Sequence, residues 1–255
     1  MPADRSRPTA TVRDAVIAAV PPRAIGAVMR ALYPRVEPEL AHLAGYMPRG
    51  GTALDVGAWY GPWSRRMARR ADRVVAIEAH PQLAELLRRS LPAVQVRHGA
   101  ASDENGEIEL SVPPGGPALG LSSVEVRGLP GAVVVPRLTI DSLGLRDVRF
   151  IKMDVEGHES AALRGAAETI ARDRPLILLE LEERLQDVER VVGLLASWGY
   201  SGQVRPGRAW IPLADFDLVG HQRAAIRRVS QSFVRRLLWS RPRYVNMVLF
   251  RPDGP

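Results

Sequence analysis

Short apolar runs alternate with amphipathic stretches from residue 52 onwards. The apolar runs are typical of buried parallel strands, and the amphipathic stretches are typical of helices that cover a sheet. This pattern predicts strands at residues 52–56, 73–78, 94–98, 150–154, 176–182 and 244–251. It predicts helices at residues 63–70, 81–90, 159–172 and 185–198. We therefore expect an α/β fold whose doubly wound sheet is mostly parallel and has an antiparallel last strand.

Proline, glycine and arginine mark the segments around this core. Apolar residues recur at helical spacing before residue 49, but Pro34 and Pro38 interrupt them and predict short, broken helices. Asn105-Gly106 and the alternating run at 132–135 predict a β-ribbon insertion. The predicted segments are a disordered lead at 1–11, an N-terminal helical cap at 12–48, the core at 49–204 with the ribbon near 103–137, an Arg-rich lid-like insertion at 205–243, and the last strand and tail at 244–255.

Composition narrows the class of protein. With 255 residues, 46% of them hydrophobic, the chain can form one α/β domain with modest additions. It has no cysteine, which excludes disulfides, thiolate metal ligands and cysteine nucleophiles, so any metal must be held by carboxylate or imidazole groups. No apolar run reaches the roughly 20 residues that a membrane helix needs. A cytoplasmic location is therefore our expectation.

The formal net charge of +7 raises the question of a polyanionic partner. Lys152 is the only lysine, and arginine is abundant throughout, so the excess reflects the composition of the whole chain. Residues 223–243 combine arginines with Phe233 and Trp239, a mixture that can bind phosphates and stack on bases. The same segment could cover an acceptor pocket, contact an anionic membrane surface or pack on a second subunit of a homodimer. We expect a solvated basic face, with nucleic acid as the alternative partner.

The clearest local signal is the run A-L-D-V-G-A-W-Y-G at residues 53–61. A buried strand carries Asp55, and Gly57 and Gly61 bracket the turn that follows it. The next predicted strand ends in Glu78, from which an acidic side chain can accept hydrogen bonds from ribose hydroxyls. Asp55 would repel a pyrophosphate but attract the ammonium and sulfonium groups of S-adenosylmethionine. S-adenosylmethionine is therefore favoured over a nicotinamide dinucleotide as the ligand. A methyltransferase is accordingly favoured over an NAD-dependent oxidoreductase.

A second group of acidic residues follows two later strands. Asp154, Glu156 and His158 come directly after the strand near residue 150, and Glu180 and Glu182 end the strand that begins near residue 176. Adjacent parallel strands would bring Asp154 and Glu180 or Glu182 to the same edge of the sheet. That edge is where a ligand binds in open α/β sheets.

Taken in order, these motifs resemble the FkbM-type methyltransferase family over residues 52–183. The resemblance rests on Leu54–Ala58 with Gly61, the strand ending in Glu78, Ala101-Ser102-Asp103 before Gly106, residues 151–157, Leu163-Arg164-Gly165 and residues 175–180. It implies a class I methyltransferase (Rossmann-like) fold and O-methylation of a sugar, glycan or related secondary metabolite. It also implies that Asp154 faces the transferring methyl group and that the donor is bound by Asp55, Gly57, Ala58, Tyr60, Gly61, Glu78, Ala101 and Asp154. Trp59 stands where the family commonly has asparagine.

Transfer to a sugar hydroxyl requires help with its proton, because the hydroxyl is almost entirely neutral at pH 7. His158 is the candidate base, since imidazole titrates near neutrality and Glu156 could orient it. Alternatively, Asp154 with Glu180 or Glu182 could hold Mg²⁺ or Mn²⁺, which prefer oxygen ligands. Both routes stay open, and the small-molecule or glycan acceptor is not identified by the sequence.

Overall fold

The computed structural model describes residues 22–112, 132–229 and 244–254. The predicted disordered lead at 1–11 lies outside these described residues, as do 113–131 of the predicted β-ribbon and 230–243 of the predicted lid-like insertion. Within the described part of the chain, no helix is long and apolar enough to cross a membrane.

Strands and helices alternate along most of the described chain. The strands are β1 (Thr52–Val56), β2 (Arg73–Glu78), β3 (Val94–His98), β4 (Ala100–Ala101), β5 (Gly106–Leu110), β6 (Val133–Leu138), β7 (Val148–Met153), β8 (Leu176–Glu180), β9 (Tyr200–Val204), β10 (Ile211–Pro212) and β11 (Met247–Pro252). The helices are α1 (Pro22–Leu32), α2 (Pro38–Ala41), α3 (Pro62–Met67), α4 (Pro81–Ser90), α5 (Glu159–Arg164), α6 (Ala167–Asp173), α7 (Val188–Ser197) and α8 (Leu218–Val229). Short 3₁₀ helices lie at Tyr33–Arg35, Leu43–Gly45, Asp141–Leu143 and Leu213–Asp215.

Eight strands form a central sheet in the order β10-β9-β11-β8-β7-β1-β2-β3. The strands from β3 through β1 and β7 to β8 are parallel to one another. β11 lies antiparallel between β8 and β9, so the predicted antiparallel last strand is confirmed. A smaller sheet has the order β4-β6-β5 and contains the described part of the predicted β-ribbon.

Each face of the central sheet packs against its own layer. On one face, β7 and β8 pack against buried side chains of α5, α6 and α7, such as Leu163, Ile170 and Leu195. On the other face, Leu40 from α2 and Trp63 from α3 belong to the same buried cluster as residues of β1 and β11. The N-terminal elements are therefore part of the core and do not extend from it as a separate unit.

The order of the strands reverses between β1 and β7, because the chain builds β2 and β3 on one side and places β8 on the other. The Gly57 amide donates to Ile77 O (2.9 Å), and the Asp154 amide donates to Val56 O (3.0 Å), so the turns after β1 and β7 are tied to neighbouring strands. A side chain at Gly57 would overlap the Asp154 carbonyl oxygen and lie 2.9 Å from its carbonyl carbon. Such a reversal point is the usual ligand site of open α/β sheets.

Some elements expected from the sequence differ in the structure. The predicted helix at 159–172 is two helices, because the chain at Gly165 passes so close to Ser102 that a Cβ would overlap the Ser102 carbonyl oxygen. The strand predicted at 176–182 ends at Glu180. The sequence pattern also missed β9, in which only Tyr200 and Val204 are buried and no apolar run is present.

Candidate functional site

Asp55 is fully buried in β1, near the reversal point of the sheet. The Ser64 hydroxyl in α3 donates a hydrogen bond to Oδ2, whereas Oδ1 has no hydrogen-bond partner. Burial raises the pKa of Asp55, although Lys152 and Ser64 oppose that shift. A buried oxygen without a donor is costly, so cationic groups near this edge of the sheet would be attracted to Asp55.

The end of β2 places the Glu78 carboxyl against the turn after β1. The Trp59 amide donates to Oε2 (2.7 Å), and the His80 amide donates to Oε1 (2.8 Å). Only 7% of Glu78 is exposed, and this burial raises its pKa to about 7 despite the two amide donors. Each carboxylate oxygen has a further lone pair, so Glu78 can still accept hydrogen bonds from a ligand.

The turn between Gly57 and Gly61 is held in an uncommon backbone conformation. Gly57 has φ +74°, Gly61 has φ +75°, and Trp59 adopts φ +50° despite its large side chain. The hydrogen bond from the Trp59 amide to Glu78 stabilises that conformation. Tyr60 is buried against α4, which places its side chain in the packing that supports the turn.

Lys152 is buried in β7 and joins the two turns. Its Nζ donates to the Gly57 carbonyl oxygen (3.0 Å) and to Asp154 Oδ2 (3.1 Å), and it lies 3.8 Å from Asp55 Oδ1. Burial alone would lower the pKa of Lys152, but Asp154 and Asp55 outweigh it and raise the pKa above its ordinary value. The ammonium group is therefore a fixed positive charge in the site.

Three acidic side chains meet at the ends of β7 and β8. One oxygen from each of Asp154, Glu156 and Glu180 lies within 4.8 Å of the others. Burial alone would raise the pKa of Asp154, but Lys152 lowers it, while burial and Asp154 raise the pKa of Glu180 well above its usual range. Burial and Asp154 also raise the pKa of Glu156 to about 8. The cluster therefore combines an ionised Asp154 with protonated neighbours.

Glu182, which the sequence predicts as a metal ligand, does not belong to that three-residue group. Its carboxylate forms an ion pair with Arg184. Asn246, directly before β11, donates a hydrogen bond to Glu180. The end of β8 therefore contributes Glu180 to the acidic cluster, and the chain turns Glu182 towards a different partner.

His158, the candidate base, lies at the start of α5. Its Nε2 is 2.9 Å from the hydroxyl oxygen of the buried Ser102, which directly follows Ala101 at the end of β4. Ser102 also donates to Asp103 Oδ1 (3.1 Å), and Arg164 forms an ion pair with that same aspartate. This hydrogen bond attaches His158 to the segment around Ala101, which the resemblance assigns to donor binding.

A family model described as the methyltransferase FkbM domain matches residues 55–201, which is more than half of the chain. The chain belongs to the FkbM methyltransferase family. The resemblance inferred from the ordered motifs is thereby confirmed, and the match includes Asp55, Glu78, Asp154 and Glu180.

The solved structure of another FkbM methyltransferase confirms the class I methyltransferase fold of this FkbM chain. Methyltransferase FkbM from Methylobacillus flagellatus KT gives a TM-score of 0.54 at 16% identity, over 84% of this chain and 47% of that chain. The chain thus spans about half the length of that protein. A TehB-like SAM-dependent methyltransferase from Corynebacterium glutamicum ATCC 13032 Kitasato gives a TM-score of 0.44 at 11% identity, over 85% and 87% of the two chains. No curated protein sequence matches the chain significantly.

Tyr33 and Glu37 were not identified as site residues from the sequence, and both lie before the region that the FkbM model matches. The Tyr33 hydroxyl donates to Glu37 Oε1 (2.8 Å), and Trp63 Nε1 donates to Glu37 Oε2 (2.9 Å). Burial raises the pKa of Glu37, and the negative charge of Asp154 adds to that shift. Nothing in the local pattern around residue 37 signals this, because the contact depends on how the N-terminal elements pack.

Proposed function

We propose that this FkbM methyltransferase uses S-adenosylmethionine to methylate a hydroxyl oxygen on a small-molecule or glycan acceptor. The donor assignment is carried by one observation: the buried carboxyls of Asp55 and Glu78 flank the close-packed turn at Gly57. A pyrophosphate would meet the acidic Asp55 beside that turn. S-adenosylmethionine instead brings an ammonium, a sulfonium and two ribose hydroxyls, all of which a carboxylate attracts.

Each residue of the donor site has its own task in this proposal. Glu78 accepts hydrogen bonds from the ribose hydroxyls, and Asp55 provides negative charge for the cationic end of the donor. Gly57 lets the turn after β1 pack directly against the turn after β7, since a side chain there would overlap the Asp154 carbonyl oxygen. Ala101 and Ser102 flank the adenine.

The acidic cluster is proposed to handle the acceptor. The donor supplies an electrophilic methyl group in this chemistry. Asp154, which Lys152 keeps ionised, accepts a hydrogen bond from the acceptor hydroxyl and orients its oxygen. Transfer would form the bond between oxygen and methyl carbon, break the bond between sulfur and methyl carbon and leave S-adenosylhomocysteine, and the hydroxyl proton would pass to His158, or to Glu156 above its pKa of about 8, where that carboxyl is ionised. Clustered carboxyl groups suit a polyhydroxylated acceptor because each hydroxyl donates one hydrogen bond.

A divalent cation is a second candidate for the same cluster, since Asp154, Glu156 and Glu180 offer three carboxylate oxygens within 4.8 Å of one another. Mg²⁺ and Mn²⁺ prefer such oxygen ligands and would polarise the acceptor oxygen. Dialysis against a strong chelator tests this role. Activity that is lost and then restored by Mg²⁺ would support it, and activity that survives would exclude it.

Calorimetry with S-adenosylmethionine and S-adenosylhomocysteine tests the donor assignment. We expect both ligands to bind, and Glu78→Ala to abolish binding, while Glu107→Ala removes an exposed glutamate of β5 and leaves binding unchanged. Absence of binding to the wild-type protein would refute the proposal. If binding is found, transfer of an isotopically labelled methyl group to a panel of sugars and glycans then identifies the acceptor class.

A further inference from the structure

Lys152 stands out because it is the only lysine in the chain and only 2% of it is exposed. In the pairing of β1 with β7, its backbone partner is Asp55. Its side chain then reaches past this strand pair to the Gly57 carbonyl oxygen and to Asp154. A surface role is therefore excluded, and the contacts of its ammonium group with Gly57, Asp154 and Asp55 lie at the reversal point of the sheet.

The oxygens around Lys152 come from different parts of the crevice. Gly57 belongs to the turn after β1, Asp154 belongs to the turn after β7, and Asp55 lies within β1. An ammonium group has three donors and no acceptor, so a single side chain can hold both turns at once. Burying it would be strongly unfavourable without counter-charges, which Asp154 and Asp55 provide and to which Glu37 of the N-terminal elements adds.

We propose that Lys152 is a positioning residue that joins the turn after β1 to the turn after β7, and that donor binding depends on this joint. The identity of the donor rests on the proposed function. Lys152 acts through Gly57 and Asp154 and does not itself contact the transferring methyl group. Its loss therefore weakens S-adenosylmethionine and S-adenosylhomocysteine alike, whereas loss of a residue that contacts the sulfonium methyl would affect the two ligands unequally.

Lys152→Met tests the joint because it keeps a long apolar side chain and removes the ammonium group. We expect calorimetry to show about 10- to 100-fold weaker binding of both ligands, the range expected when charge-assisted hydrogen bonds are lost. Lys152→Arg retains a cation with several donors and should recover part of the affinity. The matched control is Arg73→Met, which removes an exposed cation at the start of β2 that bonds to Gln95, and it should bind as the wild type does.

Two further readouts do not require activity. In wild-type protein grown with ¹³C-labelled lysine, Lys152 gives the single lysine side-chain signal, which should shift when either ligand saturates the site. Without ligand, Lys152→Met should speed hydrogen exchange at the amides of Gly57 and Asp154, which bond to Ile77 and Val56.

The outcomes separate this inference from the proposed function. Wild-type protein that binds neither ligand refutes the proposed function, while hydrogen exchange still tests the joint itself. Wild-type binding combined with equal binding by Lys152→Met, or with an unmoved lysine signal, overturns only the role of Lys152. If Lys152→Met does not fold, as judged by circular dichroism, the lysine signal of the wild-type protein decides.

Discussion

Donor binding should weaken as the pH falls below about 7, because Glu78 must be ionised to accept hydrogen bonds from the ribose. In the free protein, burial raises the Glu78 pKa to about 7 against the opposing effect of the His80 and Trp59 amides. Hydroxyl groups that donate to the carboxylate favour its ionised form, so the bound complex has a lower Glu78 pKa. Protons and donor therefore compete, and affinity rises with pH until it reaches a plateau above the free pKa.

The size of the effect follows from this pKa. One pH unit below a free pKa of about 7, proton release costs about 1.4 kcal/mol, so the donor should bind about ten times more weakly at pH about 6 than on the plateau. Glu78→Gln removes this titration. It also lowers the affinity at every pH by about 10- to 100-fold, because the amide nitrogen cannot accept from either the Trp59 or the His80 N–H.

Calorimetry across this pH range checks both effects, with Glu107→Gln as the matched control for removal of an exposed glutamate. Other titrating groups in the site also contribute to the pH dependence of the wild-type protein, so the informative quantity is the difference between wild type and Glu78→Gln. If Glu78→Gln retains the full pH dependence, Glu78 does not bind the donor as a carboxylate and the reasoning is wrong.

Three further predictions concern stability and catalysis. Gly57→Ala should lower the melting temperature and abolish donor binding in calorimetry, because its Cβ overlaps the Asp154 carbonyl, whereas Gly45→Ala, which has open space, should do neither. Burial raises the Glu159 pKa from 4.5 to about 7, so the native state loses stability as the pH rises from about 4.5 through 7 and Glu159 must give up its proton. Denaturant titration should therefore show Glu159→Gln more stable than the wild type by about 3 kcal/mol at pH about 8, but not at pH about 4. His158→Ala should lower the turnover of methyl transfer, because it removes the proposed base, and turnover equal to that of the wild type would refute this role of His158.

Local sequence patterns predicted the bounds of three strands of the central sheet correctly. β1, β2 and β3 have the predicted bounds: β1 and β2 each contain a run of apolar residues, and in β3 apolar and polar residues alternate over its first four positions. The pattern could not predict β9, whose sequence Y-S-G-Q-V has no apolar run and becomes a strand by pairing with β11. Pairing across the sheet is a long-range interaction that local periodicity does not contain.

Some residues of the candidate site could likewise be predicted from the sequence, and others could not. The proximity of Asp154 and Glu180 could be predicted from the sequence, because the ends of adjacent parallel strands lie at the same edge of a sheet. The sequence could not show that Glu156, and not Glu182, is the third member of the acidic cluster. That depends on a turn in which Glu156 adopts φ +51° and on the ion pair of Glu182 with Arg184. The role of Glu37 could not be predicted, because it depends on hydrogen bonds with Tyr33, four residues earlier, and with Trp63 in α3, which is distant in sequence.

The burial of the chain's only lysine gives the protein a built-in chemical probe of its own centre. An amine-reactive reagent can modify Lys152 only when the strands around it separate, because its ammonium group is enclosed by the Gly57 carbonyl and two aspartates. The N-terminal amine reacts as well, but peptide mass spectrometry separates the two positions. When the strands come together again faster than the reagent reacts, each 1.4 kcal/mol of free energy needed to separate them slows labelling of Lys152 about tenfold. Labelling rates therefore report how often the middle of the sheet opens under native conditions, without any engineered cysteine or dye.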